Sequence, residues 1–428
     1  MKILWLVNII MPELAEHLGG KPSVFGGWLS GAMEAVLTEN HKLIICTSSG
    51  NSKRVGRYEI GENVYYVVDN KDANELEASF RTILCKERPD VIHVFGTEYE
   101  QSLAMVRASD KERLLVTIQG SLSVLYPLTY AGIPERICRD NSIHRFLRKK
   151  HRGGESIELQ RISFEKRAKL EQEALMQAKY VHGGSEWGNA VGRQINPNCT
   201  VFDCGLILRD PFYTDIRWDL DACEEHSITA VFTYPIKGFH MILRAMPKIL
   251  EAFPDAKLHA VGQKLNVRRY HGIKKVLMDL APDYSWYVQG LMNKYDLWDN
   301  VVFDGYLDAL QMRERQLKSN VFISSSIMEN QCTALGEALM LGVPCIATRA
   351  GAMPEFINDG ESALLYDFDD VDRLAAHVCK IFSDREYAKK LSLNAPVIPQ
   401  KLYDRNKNRE KLVEMYHTID QNAKEANQ

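Results

Sequence analysis

The sequence has no long apolar run, no large excess of either charge and no closely paired cysteines. No stretch approaches the roughly 18–20 apolar residues that span a bilayer, so an integral helical membrane protein is not expected. Lys and Arg number 53 against 56 Asp and Glu, a formal net charge of −3, which argues against a protein that coats nucleic acid. The nine cysteines are odd in number and scattered, and no two form a C-x-x-C pair, so neither a zinc site nor a redox motif is expected. Cys46, in the run Leu43-Ile44-Ile45-Cys46, reads as a buried free thiol. Reduced thiols suit a cytoplasmic location. Residues 1–7 are apolar in the manner of a signal peptide, but Asn8 interrupts them and no small-residue cleavage site follows closely. A first β-strand is the expectation there. That strand lacks the G-x-G-x-x-G fingerprint after it, which makes a nicotinamide dehydrogenase the weakest enzyme reading.

What is present is an ordinary soluble composition, 45% hydrophobic and 25% charged, on a chain of 428 residues. At roughly 100–200 residues per domain the simplest division is two domains of similar size. Short Val/Ile/Leu-rich runs without strict alternation, as in strands buried on both faces, occur at 2–7, 42–46, 64–68, 91–95, 114–118 and 180–182. A second set lies at 229–232, 257–261, 301–303, 321–323, 344–347 and 363–365. Helix-period segments between them, such as 241–253 and 333–341, imply right-handed βαβ crossovers. The predicted fold class is therefore α/β, two Rossmann-like doubly wound domains in series. Residues 1–210 form the first, with one long insertion at about 126–160; residues 211–385 form the second; residues 386–428 form a helical tail that could pack back on the first.

The richest chemical pattern is Ser324-Ser325-Ser326-Ile327-Met328-Glu329-Asn330-Gln331-Cys332-Thr333-Ala334-Leu335-Gly336-Glu337, followed by Gly342-Val343-Pro344. A strand ends in a polar loop and a helix begins near Thr333. Helix N-terminal amides favour an anion there, and two carboxylates beside it suit a polyol attached to a phosphate. Glu337 alone is equally an early-turn glutamate complementing the helix dipole. Tyr234-Pro235-Ile236-Lys237-Gly238 places a lysine after another strand, with a glycine that permits close backbone approach.

Two glutamates separated by seven residues, Glu329 and Glu337, with Gly336 before the second and Gly-Val-Pro after the helix, resemble the signature of the family-4 retaining glycosyltransferases. The resemblance extends to Lys237-Gly238, to Val91-Ile92-His93-Val94-Phe95-Gly96-Thr97-Glu98, to Thr117-Ile118-Gln119-Gly120 and to Gly205-Leu206-Ile207-Leu208-Arg209. The set resembles bacterial members that build exopolysaccharide, capsule or O-antigen chains. It implies the GT-B fold, two Rossmann-like domains facing across a cleft, and a hexose moved from a nucleotide diphosphate sugar (UDP-linked) to a glycan or lipid-linked glycan. No metal and no other cofactor is implied, the nucleotide sugar being a substrate. By the same resemblance, Glu329 would contact hydroxyls of the donor hexose and Glu337 the ribose. The backbone around Ala334, Leu335 and Gly336 would lie near the diphosphate, where Lys237 would stabilise the leaving group. In the first domain, Gly26 and Gly27 at a helix start are further donor-side candidates, and His93 and Gln119 at strand ends are acceptor or sugar-side candidates.

Three departures from the family pattern stand out. Phe232 occupies the place of a common arginine, for which Arg268 and Arg269 are weak substitutes; Gln119 replaces a common histidine; Gly184 and Gly188 stand where Arg and Asp often occur. They keep two alternatives open, a nucleotide-sugar epimerase of similar fold and a catalytically degenerate partner in a polysaccharide-synthesis complex. Residues 136–152, beginning with Arg136 and ending with Arg152, hold seven Lys/Arg against one Asp, interleaved with Ile143, Phe146 and Leu147. This patch suits an anionic membrane surface or a lipid-diphosphate acceptor, giving an expected location at the inner face of the cell membrane. No nucleic-acid-binding motif accompanies it.

Overall fold

A computed structural model of the protein describes residues 1–21, 26–139, 156–262 and 284–426, without the side chains of residues 27 and 28. It divides into two compact units. The first comprises Met1–Val124, Glu165–Arg209 and Leu402–Gln428; the second comprises Leu125–Phe164 and Asp210–Lys401.

The first unit is built on the strands β1 (Lys2–Leu6), β2 (Lys42–Ser49), β3 (Gly56–Ile60), β4 (Asn63–Asp69), β5 (Val91–Phe95), β6 (Leu114–Thr117), β7 (Tyr180–His182) and β8 (Thr200–Phe202). Their order in the sheet is β3-β4-β2-β1-β5-β6-β7-β8, and every pairing is parallel except β3 with β4. The chain runs outward from β1 in one direction and returns to β5 on its other side. The gap beyond the carboxyl ends of β1 and β5 is therefore a topological switch point, where open α/β sheets bind ligands. Ile3, Leu4, Trp5 and Val91 are fully buried, as expected for central strands covered on both faces.

The second unit carries β9 (Ser227–Phe232), β10 (Lys257–Gly262), β11 (Val301–Gly305), β12 (Val321–Ser324), β13 (Cys345–Thr348) and β14 (Leu364–Tyr366). The order is β11-β10-β9-β12-β13-β14, parallel throughout. Its switch point lies between β9 and β12. The lysine loop follows the first of these strands and the glutamate loop follows the second.

Two segments join units in ways that sequence order does not suggest. The C-terminal helix Arg405–Ala426 belongs to the first unit. Its Tyr416 hydroxyl accepts from Trp5 Nε1 at 3.0 Å and lies 2.7 Å from His93 Nδ1. The buried chain continues from His93 Nε2 to Thr117 Oγ1 (2.6 Å), on to His182 Nδ1 (3.1 Å), and from His182 Nε2 to the Cys204 carbonyl (2.7 Å). The insertion was expected in the first domain; residues 125–164 instead group with the second unit. The described contacts give the reason. His240, fully buried on the helix Phe239–Ala252, bonds through Nε2 to the Ala131 carbonyl at 2.6 Å, and Arg244 donates to the Gly132 carbonyl at 3.1 Å. The basic stretch from Asp140 to Arg152 lies outside the described residues, as do Arg268 and Arg269. Among the described residues no helix is long and apolar enough to cross a membrane.

Burial pushes the His240 imidazole down to about 3 from an ordinary 6.5, opposed only in part by the Ala131 carbonyl. A histidine depressed on folding contributes stability that is complete above pH 6.5 and is lost as the pH falls towards its folded value. Between pH 6.5 and 5, urea titrations should show this single group removing up to about 1.4 kcal/mol per pH unit. The slope should flatten by that amount in His240→Gln; an unchanged slope would mean that the imidazole is not held neutral.

Candidate functional site

The site in the second unit is assembled by two loops that lock together. After β9, Pro235–Lys237 form a single 3-10 turn, and Gly238, at φ +67°, ends that turn and starts the helix Phe239–Ala252. After β12, residues 325–332 lead to the helix Thr333–Met340. Ser325 Oγ donates to the Lys237 carbonyl at 2.9 Å, and the Ile327 amide donates to the Ile236 carbonyl at 2.8 Å. A Cβ on Gly238 would stand 1.8 Å from the Ser325 carbonyl oxygen, so the loops approach as closely as they do only because position 238 carries none.

This closure brings Lys237 and Glu329, 92 residues apart in the chain, into an ion pair at Glu329 Oε1. Ser326 Oγ donates to the same oxygen at 2.6 Å. The Glu329 side chain is 12% exposed and that of Lys237 28%. Burial works against the lysine's charge, but the Glu329 carboxylate outweighs it and the ammonium is held above its usual pKa. Burial also raises the neighbouring Cys332 thiol, to about 11, so it is a protonated wall residue. The main chain of Glu329 is fixed from the other side. Its carbonyl accepts from Ala352 N at 2.9 Å, and Gly351, at φ +57°, leaves room where a Cβ would come within 2.1 Å of that carbonyl oxygen.

The helix Thr333–Met340 begins directly after this loop, and its N-cap Cys332 makes no side-chain cap hydrogen bond. The first-turn amides of Thr333, Ala334 and Leu335 have no intrahelical carbonyl to bond. Gly336 N is already committed to the Cys332 carbonyl at 3.0 Å. The part of the predicted 334–336 set able to meet an anion is therefore the first turn, without Gly336. Glu337 sits on the same helix at 1% exposure. Lys237, Gly238 and Glu329 thus gather at the switch point of the second sheet, beside the helix that carries Ala334 to Glu337.

Other expectations are placed differently. Phe232 is fully buried, its ring 4.7 Å from Phe239 and 5.9 Å from Tyr284, so that position is part of the hydrophobic core. His93 is also fully buried, and both ring nitrogens are engaged by Tyr416 and Thr117, so it offers no group to a ligand. Gln119 is half-buried in the first unit, where its Oε1 accepts from Asn8 Nδ2 at 2.8 Å. Gly26 caps the helix Gly27–Thr38 in the left-handed conformation, and residues 22–25 before it lie outside the described residues. Sequence reasoning missed Ser326 and Gly351. Ser326 belongs to a serine run that offered no reason to choose one hydroxyl, and Gly351 is a single glycine in an unremarkable loop.

Residues 230–397 match the family model described as Glycosyl transferases group 1. N-acetyl-alpha-D-glucosaminyl L-malate synthase of Bacillus anthracis is 29% identical over 184 residues, covering 43% of this chain and 42% of that protein. Spore coat protein SA of Bacillus subtilis is 26% identical over 159 residues, covering 36% and 39% respectively. The chain thus spans about two fifths of the length of the curated relatives it matches. Among solved structures, sucrose-phosphate synthase from Thermosynechococcus elongatus superposes with a TM-score of 0.71 at 17% identity over 98% of this chain and 99% of that one. The Anabaena HepE protein in complex with UDP and glucose gives 0.66 at 14% identity, covering 98% and 100%. At these identities the superpositions bear on the fold, which is GT-B.

Proposed function

We propose, for a chain whose residues 230–397 are a domain of the group 1 glycosyl transferases, that the protein transfers a hexose from a nucleotide diphosphate sugar to a hydroxyl of a glycan or lipid-linked glycan. The observation that carries this reading is the Lys237–Glu329 pair beside the uncapped first turn of the helix Thr333–Met340. As the bond from the sugar to the diphosphate breaks, negative charge grows on the departing phosphate and positive charge on the sugar. A fixed ammonium and helix amides stabilise the first, and a carboxylate aimed at sugar hydroxyls orients the second. In this reading Glu337 holds the ribose. UDP as the nucleotide, retention of anomeric configuration, the absence of a resident metal and a role in bacterial surface polysaccharide synthesis follow from the family resemblance. UDP is also the nucleotide in the HepE complex. Contact with an anionic membrane through residues 136–152 belongs to the same reading.

Lys237 must leave Glu329 to meet a diphosphate, so the ligand-free ion pair is a resting state that donor binding exchanges. Because nucleotide binds the folded chain only, a UDP-sugar at about one hundred times its Kd should stabilise the protein by about 2.7 kcal/mol, or roughly 5–10 °C in Tm. A panel of UDP-, GDP- and ADP-sugars in a thermal-shift assay, followed by nucleotide release with and without acceptor glycans, tests the proposal. Release only with acceptor supports transfer, sugar conversion with donor alone supports an epimerase, and no thermal response to any nucleotide overturns the donor site.

A further inference from the structure

The lysine loop is braced from a second side, by a turn far earlier in the chain that belongs to the same unit. Ala131 and Gly132 stand at φ +47° and +70°, two successive left-handed residues. Ala131 N donates to the Leu128 carbonyl and Ile133 N to the Tyr130 carbonyl, both at 2.8 Å. A non-glycine residue in that region carries strain, which persists where the surroundings over-determine it. Here the turn presents two consecutive carbonyls to one helix face. The Ala131 carbonyl meets His240 Nε2 at 2.6 Å, and the Gly132 carbonyl accepts from Arg244 at 3.1 Å. These two residues are neighbours one turn apart on the helix that starts after Lys237-Gly238. A carbonyl only accepts, so His240 Nε2 carries the proton and Nδ1 is bare. The Tyr284 hydroxyl, 3.1 Å from Nδ1, therefore donates to it. That hydroxyl also accepts, at 3.4 Å, from the His240 main-chain amide, one of the first-turn amides without an intrahelical carbonyl. The Phe368 ring completes the brace, with Cε1 3.5 Å from the point a Cβ on Gly132 would occupy and Cε2 3.0 Å from that of Gly238.

We propose that this turn positions the diphosphate-binding lysine, and that His240 is the positioning residue through which it acts. The inference rests on the donor reading of Lys237. In that reading the lysine side chain exchanges Glu329 for the diphosphate, so what must stay fixed is the main chain that carries it. The glutamate loop holds that main chain from one side, through Ser325 Oγ and the Lys237 carbonyl. On the other side it continues through Gly238 into the helix start, whose place is set by His240 and Phe368. A fastening that merely attached Leu125–Phe164 to the second unit could sit anywhere along Phe239–Ala252. It grips instead the opening turns of that helix, directly after Lys237-Gly238. Residues 130–133 lie outside the matched residues 230–397, so the group 1 domain takes this support from elsewhere in the chain.

The test is a double-mutant cycle on the full chain, using the nucleotide sugar that raises Tm most. Nucleotide release and calorimetric UDP affinity would be measured for His240→Phe, His240→Gln, Lys237→Ala and the variant carrying both Lys237→Ala and His240→Phe. His240→Phe keeps a ring but leaves the Ala131 carbonyl unpaired. Its kcat should fall about 10²-fold while UDP affinity changes less than about threefold, because a displaced cation is missed most in the transition state. His240→Gln, whose amide can still donate to that carbonyl, should recover about tenfold of the loss. On top of Lys237→Ala, His240→Phe should cost less than about threefold more, since the group it positions is gone. Arg244→Leu, which releases the Gly132 carbonyl on the exposed side, serves in the same cycle if His240→Phe does not fold, with a loss of about tenfold. Full kcat in the folded variant, no recovery with glutamine, or an undiminished loss on top of Lys237→Ala overturns the proposal. Unchanged turnover and UDP affinity in Lys237→Ala alone would overturn the donor reading, and this inference with it.

Discussion

Replacing Glu329 by alanine is expected to lower glycosyl transfer by about 10²–10³-fold while leaving UDP affinity unchanged or slightly improved. The two effects separate because Glu329 stands between two roles in the geometry. In the ligand-free protein its Oε1 holds both Lys237 and Ser326 Oγ, so a diphosphate must compete with this carboxylate for the lysine. Removing it frees the cation for the phosphate but takes away the group proposed to orient the sugar. The lysine carries a second signature of the same substitution. Burial depresses its ammonium and Glu329 reverses that, so without Glu329 the lysine's pKa should fall, and UDP binding should weaken at a lower pH than in the wild type. Single-turnover kinetics and calorimetric UDP titrations over pH 7–10 would read both. Unchanged turnover would remove Glu329 from the chemistry, and an unchanged pH profile would show that the pair is not what charges Lys237.

The parts legible in the sequence were those written in continuous apolar runs. β5 and β7 fall where the Val- and Tyr-led runs put them, and β9, β10 and β12 differ only at their ends. β3 was not expected because Gly-Arg-Tyr-Glu-Ile alternates, with Arg57 and Glu59 exposed, on an antiparallel edge. β8 was missed as three residues after an Asn-Pro-Asn turn, too short for any period to register. The assignment of residues 125–164 to the second unit rests on backbone carbonyls at Ala131 and Gly132, which have no side-chain signature at all. The same division runs through the site. Lys237, Gly238 and Glu329 were visible as residue types in suggestive loops. Ser326 and Gly351 act through distances that exist only once the loops have folded.

Gly238 is where backbone geometry and chemistry meet most closely, and Gly238→Ala should be the most damaging conservative change in the second unit. The left-handed conformation alone costs an alanine about 1 kcal/mol or somewhat more. Gly360 supplies that figure as an internal control, because it has φ +79° in the same unit with nothing within 4 Å of a Cβ. At Gly238 the added methyl would sit 1.8 Å from the Ser325 carbonyl oxygen and 2.8 Å from its carbon, and backbone cannot yield as a side-chain tip does. The loops must part, which breaks the hydrogen bond from Ser325 Oγ to the Lys237 carbonyl and the one from Ile327 N to the Ile236 carbonyl. Denaturation should therefore show a loss of about 3–5 kcal/mol for Gly238→Ala against about 1 kcal/mol for Gly360→Ala. The parting also carries Lys237 away from Glu329, and a shift of about 1 Å in a group that must meet a transferring phosphate costs about 10²-fold in turnover. Equal destabilisation by the two substitutions would mean that the loops are not locked at Gly238; a large loss of stability with full activity in the remaining folded protein would mean that the lock does not position the lysine.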